Sequence, residues 1–174
     1  MKYIVKIIVV TFLTLTCTQA IAEQKLVVLD MKYVLNNSNA GKGAQDYLKK
    51  TFTKKQKLFS DMEKNLKKEE NDLLEKKTIL SKEDYSKKAD TLRKKVIDYQ
   101  SQRRAALDKI ATQRAESRET LLKKLDPIIN NYIKENNISL VIDKKHMLGG
   151  STELDITKAI MEQLNKELPS LNLK

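Results

Sequence analysis

The chain has 174 residues, with 34 lysines and arginines against 23 aspartates and glutamates, which gives a formal net charge of +11. Cys17 is the single cysteine and lies in a predicted export signal. The rest of the chain therefore has no thiol for a disulfide bond, a thiolate metal site or a nucleophile. His146 is the single histidine, which leaves no histidine-rich metal cluster. We expect no catalytic site, no cofactor and no metal.

Residues 1–22 have the pattern of a secretory signal. Two lysines precede the apolar run of residues 7–15, and Ala20-Ile21-Ala22 offers the small residues of a cleavage site. An uncleaved anchor is the alternative, but the apolar run is shorter than the roughly 20 residues that cross a bilayer. We predict export, with cleavage after Ala22.

Removal of residues 1–22 leaves 32 basic and 23 acidic side chains, a net charge of +9. A charge of this size favours an anionic or electrostatically steered partner. For an exported chain we expect that partner to be another polypeptide, lipopolysaccharide or an anionic membrane surface, and we expect no nucleic acid.

The first predicted elements after the signal are short. Residues 25–30 form an apolar run that predicts a β-strand, and Met31–Asn37 can form a short helix. Residues 36–43, rich in Asn, Ser and Gly, predict a link, with Gly41-Lys42-Gly43 as a flexible elbow. This tripeptide lacks the spacing of a phosphate-binding loop.

A long helical hairpin is predicted next, because residues 44–126 contain no glycine or proline. Apolar residues recur at coiled-coil spacing, first at Phe52, Phe59, Leu66, Leu73 and Leu80 with Leu48 and Met62 between, then at Tyr85, Ala89, Leu92, Val96, Tyr99, Ala106 and Ile110. Continuing the first register beyond Leu80 would place four charged residues in the seam. Ser81 also resembles a helix cap, with an acidic residue three positions later. We therefore predict a turn near residues 78–81 and an arm of about 50 Å.

The C-terminal part predicts short elements again. Asp126-Pro127 suits the start of a helix, and residues 138–143 form a second apolar strand. Gly149-Gly150 predicts a turn between two short strands, and Asp155 or Thr157 can cap a last helix.

The fold class is therefore mainly α, with a small α/β base and a long antiparallel helical hairpin. Residues 23–43 and 126–174 would form a discontinuous body, and residues 44–125 the arm. The body is small, and its strands are apolar on both faces, so they need cover that one protomer cannot supply. We predict self-association through Leu26, Val27, Val28, Leu29, Leu140, Val141 and Ile142.

Charge divides along the same boundary. Residues 42–125 carry 24 basic and 14 acidic side chains, a net of +10, whereas the rest of the chain after Ala22 carries a net of −1. This division locates the working surface on the arm. We expect the lysine pairs of the arm, together with apolar residues on an adaptable surface, to contact a bound partner. Packing in the seam between the two helices is the competing role for the apolar residues. The expected contact residues are Lys49, Lys50, Phe52, Lys54, Lys55, Phe59, Met62, Lys67, Lys68, Lys87 and Lys88.

The chain resembles the Skp/OmpH family of periplasmic chaperones over its whole length after the signal. The resemblance lies in residues 26–31, Val34-Leu35, Gly41-Lys42, the charged hairpin, residues 138–143 and Asp155-Ile156-Thr157. It implies a periplasmic homotrimer with a central β-body and three projecting hairpins. It also implies a holdase that acts without ATP, binding unfolded outer-membrane proteins and preventing their aggregation. A structural coiled-coil protein of the cell envelope and a binder of anionic lipid or lipopolysaccharide remain alternatives.

Overall fold

The computed structural model describes residues 24–173. The predicted signal, residues 1–22, lies outside the described residues. The elements are strand β1 (Lys25–Leu29), helix α1 (Met31–Asn37), helix α2 (Asn39–Glu75), a 3₁₀ turn (Lys76–Thr78), helix α3 (Lys82–Glu135), strand β2 (Ile138–Asp143), 3₁₀ turns at Lys144–His146 and Thr152–Leu154, and helix α4 (Thr157–Glu167).

The two strands pair in parallel, with Leu26 beside Leu140 and Val28 beside Ile142. Parallel strands need a long crossover connection, and here α1 and the whole hairpin lie between them. Asp155 adds an isolated bridge to Val28, and the Ile156 amide donates to the Val28 carbonyl at 2.9 Å. The described segments before and after the hairpin therefore meet in one small body from which the hairpin projects.

The core lies on one face of this sheet. It joins β1, β2, α1, α4 and the roots of both long helices, through Val27, Leu29, Val34, Leu35, Ala40, Leu121, Leu125, Ile128, Ile138, Ile156, Ile160 and Leu164. On the other face, the paired Leu26 and Leu140 are 43% and 53% exposed. The protomer therefore leaves part of this second face uncovered, at Leu26 and Leu140, although Val28 on the same face is buried.

Polar contacts fasten the C-terminal segment to the body. The Asp30 amide donates to the Thr157 hydroxyl at 2.8 Å, and Lys144 Nζ lies 2.7 Å from an Asp155 carboxylate oxygen. Burial raises the pKa of Asp155, but hydrogen bonds from Lys144 and Thr157 outweigh it and hold that pKa below its ordinary value. The hydrogen bond between Lys144 and Asp155 also raises the pKa of Lys144.

The hairpin confirms the predicted antiparallel pair. Helix α2 begins after Ser38, whose hydroxyl accepts from the Gly41 amide at 3.2 Å. At the tip, the Ser81 hydroxyl accepts from the Asp84 amide at 3.1 Å, as the cap pattern predicts.

Three local predictions are wrong. Pro127 does not begin a helix, because α3 continues through it to Glu135. Leu125 and Ile128, both fully buried or nearly so, hold the turns on either side of the proline in the core, and this packing outweighs the lost backbone hydrogen bond. Gly149-Gly150 does not join two strands, since β1 and β2 are the only strands among residues 24–173.

The third is the elbow at Gly41, which is helical instead. A Cβ at this position would lie 2.0 Å from the Leu35 carbonyl oxygen. The glycine therefore allows α1 and α2 to approach closely, and it does not act as a flexible link.

Candidate functional site

The hairpin seam is packed near the body and loose towards the tip. Leu48, Phe59, Tyr99, Ile110 and Leu121 are buried along the proximal half. Between residues 60 and 98 no side chain is buried, and the predicted seam residues there are only partly covered. The distal half of the arm therefore keeps apolar surface within reach of a ligand.

Phe59 and Tyr99 mark the boundary between the two halves. Their rings meet edge to face, with centroids 6.1 Å apart and an interplanar angle of 69°. The Tyr99 hydroxyl also donates to a Glu63 carboxylate oxygen at 3.3 Å. We call this pair the aromatic clasp; beyond it, the Lys95–Glu69 ion pair at 2.7 Å joins the two helices.

Three grooves follow one another along the hairpin. The distal groove has a volume of about 580 Å³ and is lined mainly by apolar side chains, among them Leu66, Leu73, Leu74, Tyr85, Leu92 and Val96. The middle groove, about 390 Å³, lies between Phe52 and Tyr99. The root groove, about 610 Å³, lies where the hairpin meets the body and includes Leu48, Phe52 and Leu121.

The three grooves lie on one face of the hairpin. Phe52 lines both the root and the middle groove, and Glu63 and Tyr99 line both the middle and the distal groove. Their α2 residues recur every three or four positions, which is one face of a helix. This face runs from Gly41 to Leu74 and therefore extends for about 50 Å.

The predicted lysines are all exposed, but few of them line the grooves. Lys49 lines the root groove, Lys55 the middle one and Lys67 the distal one. Lys88 lines a smaller pocket near the tip. The others lie on the remaining surface, where charge acts at a distance: Lys50, Lys54, Lys68 and Lys87. Lys87 is also paired with Glu83 at 3.1 Å, an exposed pair of little energetic weight.

The predicted apolar contacts divide between surface and seam. Phe52 is 44% exposed and forms a wall of two grooves. Phe59 is only 6% exposed, because its ring packs in the aromatic clasp, so the structure gives it a seam position. Met62 is partly covered.

Arginines are the groove residues that sequence reasoning missed. All five arginines of the chain lie between residues 93 and 118, and four of them line the grooves: Arg93, Arg103, Arg114 and Arg118. Their confinement to the returning helix was visible in the sequence, but their alignment with the apolar floor depends on how the two helices pair.

The residues predicted for self-association also divide. Val27, Val28 and Leu29 are buried within the protomer, and Val141 and Ile142 are partly covered. Leu26 and Leu140 remain on the open face of the sheet. Leu148, which the sequence prediction omitted, is fully exposed in the loop beside the body.

Across residues 24–173, no cluster of three or more His, Cys, Asp or Glu side chains could hold a metal ion. Within the same span, no helix is both long and apolar enough to cross a membrane.

Comparisons with known proteins agree with this architecture. The chain is 23% identical to a Skp-like protein of Pseudomonas aeruginosa, over 95% of this chain and 99% of that protein. It is 27% identical to an uncharacterized protein of Aquifex aeolicus, over 79% and 84% of the two chains. The crystal structure of a candidate outer membrane chaperone (OmpH-like) from Caulobacter crescentus superposes with a TM-score of 0.79, at 18% identity, over 90% of this chain and 93% of that one.

The sequence model of one family, described as outer membrane protein (OmpH-like), matches residues 25–164. These residues span both strands, the whole hairpin and most of the last helix. The chain therefore belongs to the OmpH-like family.

Proposed function

We propose that this protein is a holdase chaperone of the periplasm, acting without ATP, that captures unfolded outer-membrane proteins on its hairpins and prevents their aggregation. The observation that carries the proposal is the loosely packed distal arm. It carries an apolar groove on a hairpin whose residues 42–125 have a net charge of +10. Most of that charge lies nearer the body, since residues 60–98 hold 11 basic and 10 acidic side chains. The distal surface can hold apolar segments of varied shape, while the charge of the whole hairpin attracts acidic chains from a distance.

The working form in this proposal is a homotrimer joined through the body. Support comes from the second face of the sheet, which the protomer leaves partly uncovered at the paired Leu26 and Leu140, and from Leu148, which is also exposed in the body. Burying such apolar surface against further copies would supply stability that a small body lacks. Three hairpins would then project around a shared space, without any enzymatic step.

Export belongs to the same proposal. Residues 1–22 would direct the chain to the periplasm and be removed after Ala22. N-terminal sequencing of the protein purified from a periplasmic extract would test this, with Glu23 expected as the first residue.

The holding activity is tested by shortening the arm. Replacement of residues 53–112 by a short Gly/Ser turn removes the middle and distal grooves but keeps Leu121 in the core. The intact chain should keep a diluted, denatured outer-membrane barrel protein from scattering light, and the shortened chain should not. Equal protection by a folded, shortened chain would contradict the proposal.

A second candidate function is contact with an anionic lipid or lipopolysaccharide surface through the tip. Ile79 is 80% exposed at the far end of the hairpin, and Lys76, Lys77 and Lys82 lie beside it. An exposed apolar side chain flanked by lysines suits the headgroup region of an anionic membrane. Ile79→Ser should weaken sedimentation with anionic vesicles without changing protection of the barrel protein.

A further inference from the structure

The root groove joins an apolar floor to two arginine side chains. Leu35, Ala44, Leu48 and Leu121 are at most 6% exposed and form its floor, and the exposed ring of Phe52 forms one wall. Ala44 and Ser117 are small, and the Ser117 hydroxyl is turned to its own helix, donating to the Gln113 carbonyl at 2.6 Å. The groove is therefore about 610 Å³ in volume, which fits two or three side chains of a ligand.

Arg114 and Arg118 lie one helical turn apart at the edge of this floor. Within residues 24–173, neither guanidinium makes an ion pair, whereas Arg93 on the same helix pairs with Asp90 at 3.1 Å. Lys49 adds a third positive charge to the groove, and Asp46 supplies its one negative charge. Three positive charges against one leave the groove positive and able to accept an anion.

We infer that the root groove is a binding site for a polypeptide segment in which a carboxylate side chain adjoins a large apolar or aromatic one. The guanidinium groups would hold the carboxylate in paired hydrogen bonds, and the floor would take the apolar side chain. This inference rests on the proposed function, since it names the segment of an unfolded chain that the hairpin root selects. It adds a fixed, selective contact to the loose holding by the distal arm.

The probe is a short labelled peptide, acetylated and amidated, whose only charge is an aspartate next to a phenylalanine. A matched peptide carries asparagine in place of aspartate. Fluorescence anisotropy with the whole chain should give at least about tenfold tighter binding of the aspartate peptide, because hydrogen bonds to charged groups are strong once apolar contact excludes water. The double variant R114Q/R118Q should abolish this preference.

The matched control is R104Q/K109Q, which removes two exposed charges of the same helix outside the groove. It should keep the preference for the aspartate peptide. Asp46→Asn should strengthen binding of that peptide a few-fold, because it removes the one negative charge of the groove. Far-UV circular dichroism should show unchanged helix content in all three variants.

Equal loss of binding in the two double variants would overturn the inference, because long-range charge alone would then explain it. The inference would also be overturned if the intact chain did not discriminate between the peptides but bound an anionic phospholipid that R114Q/R118Q no longer binds. That result would assign the groove to lipid. If the intact chain protects the barrel protein from aggregation but does not distinguish the peptides, only this inference fails. If the chain gives no protection, the proposed function fails.

Discussion

The aromatic clasp is predicted to hold the distal arm in register. Phe59 is 6% exposed and Tyr99 9% exposed, and between residues 60 and 98 no side chain is buried. The clasp is thus the last well-packed layer before the tip. Phe59→Ala should open the distal half of the hairpin while the body stays folded.

The magnitude follows from the burial of the ring. A buried phenylalanine replaced by alanine costs about 3–5 kcal/mol, and the lower end applies here because a two-helix seam can partly collapse. A loss of about 3 kcal/mol raises the opening constant of the distal arm roughly a hundredfold. Tyr99→Phe removes only the hydrogen bond of 3.3 Å to Glu63, and should cost about 0.5 kcal/mol.

Amide hydrogen exchange measures this opening segment by segment. In Phe59→Ala, amides of residues 60–98 should exchange roughly a hundredfold faster, while amides of β1 and β2 keep their protection. Leu58→Ala is the matched control, because Leu58 is 46% exposed. This substitution should change the free energy of opening by less than about 0.5 kcal/mol. Equal acceleration in the two variants, or loss of protection throughout the body, would refute the role of the clasp.

Three further predictions concern assembly, steering and pH. Leu140→Asp places a charge on the open face of the sheet and should convert the oligomer into a helical monomer, visible by light scattering; an unchanged mass would contradict the proposed interface. Charge reversal at Lys54, Lys55, Lys67 and Lys68 should slow the association of an acidic client in stopped flow and leave that of a neutral client unchanged. Salt at 1 M, with its screening length of about 3 Å, should have the same effect. Equal slowing of both clients would exclude electrostatic steering. Because the pKa of Asp155 is lowered in the folded protein, its carboxylate stabilises the fold above the ordinary carboxyl pKa, and this contribution is lost as the pH falls through the folded-state pKa. In Asp155→Asn, the free energy of unfolding should therefore depend less on pH in the acid range.

The hairpin could be predicted because its signals are local. The absence of glycine and proline, the seven-residue spacing and the Ser81 cap each act within a few turns of helix, and together they specify two helices and a turn. The same reasoning fails at Pro127, where packing of Leu125 and Ile128 outweighs local propensity. It also fails at Gly41, where the role of the glycine depends on a contact with Leu35.

The candidate site could be predicted only in part. Sequence spacing locates a basic, apolar arm, but it does not say which charges face the grooves. Arg114 and Arg118 meet Leu48 and Phe52 only because of the register between the two long helices. Likewise, the burial of Val27 and the exposure of Leu26 follow from the pairing of two strands separated by the whole hairpin.

The central claim, that the groove face of the hairpin holds unfolded protein, is tested most directly by site-specific photo-crosslinking. A photoreactive residue is placed at Phe52 or Leu74, which are exposed and line the grooves, or at Leu58, which is equally exposed but lines none of the three. With a denatured outer-membrane barrel protein, the two groove positions should give strong crosslinks and position 58 weak ones. Crosslinks of equal strength at all three positions, or none along the hairpin, would contradict the account.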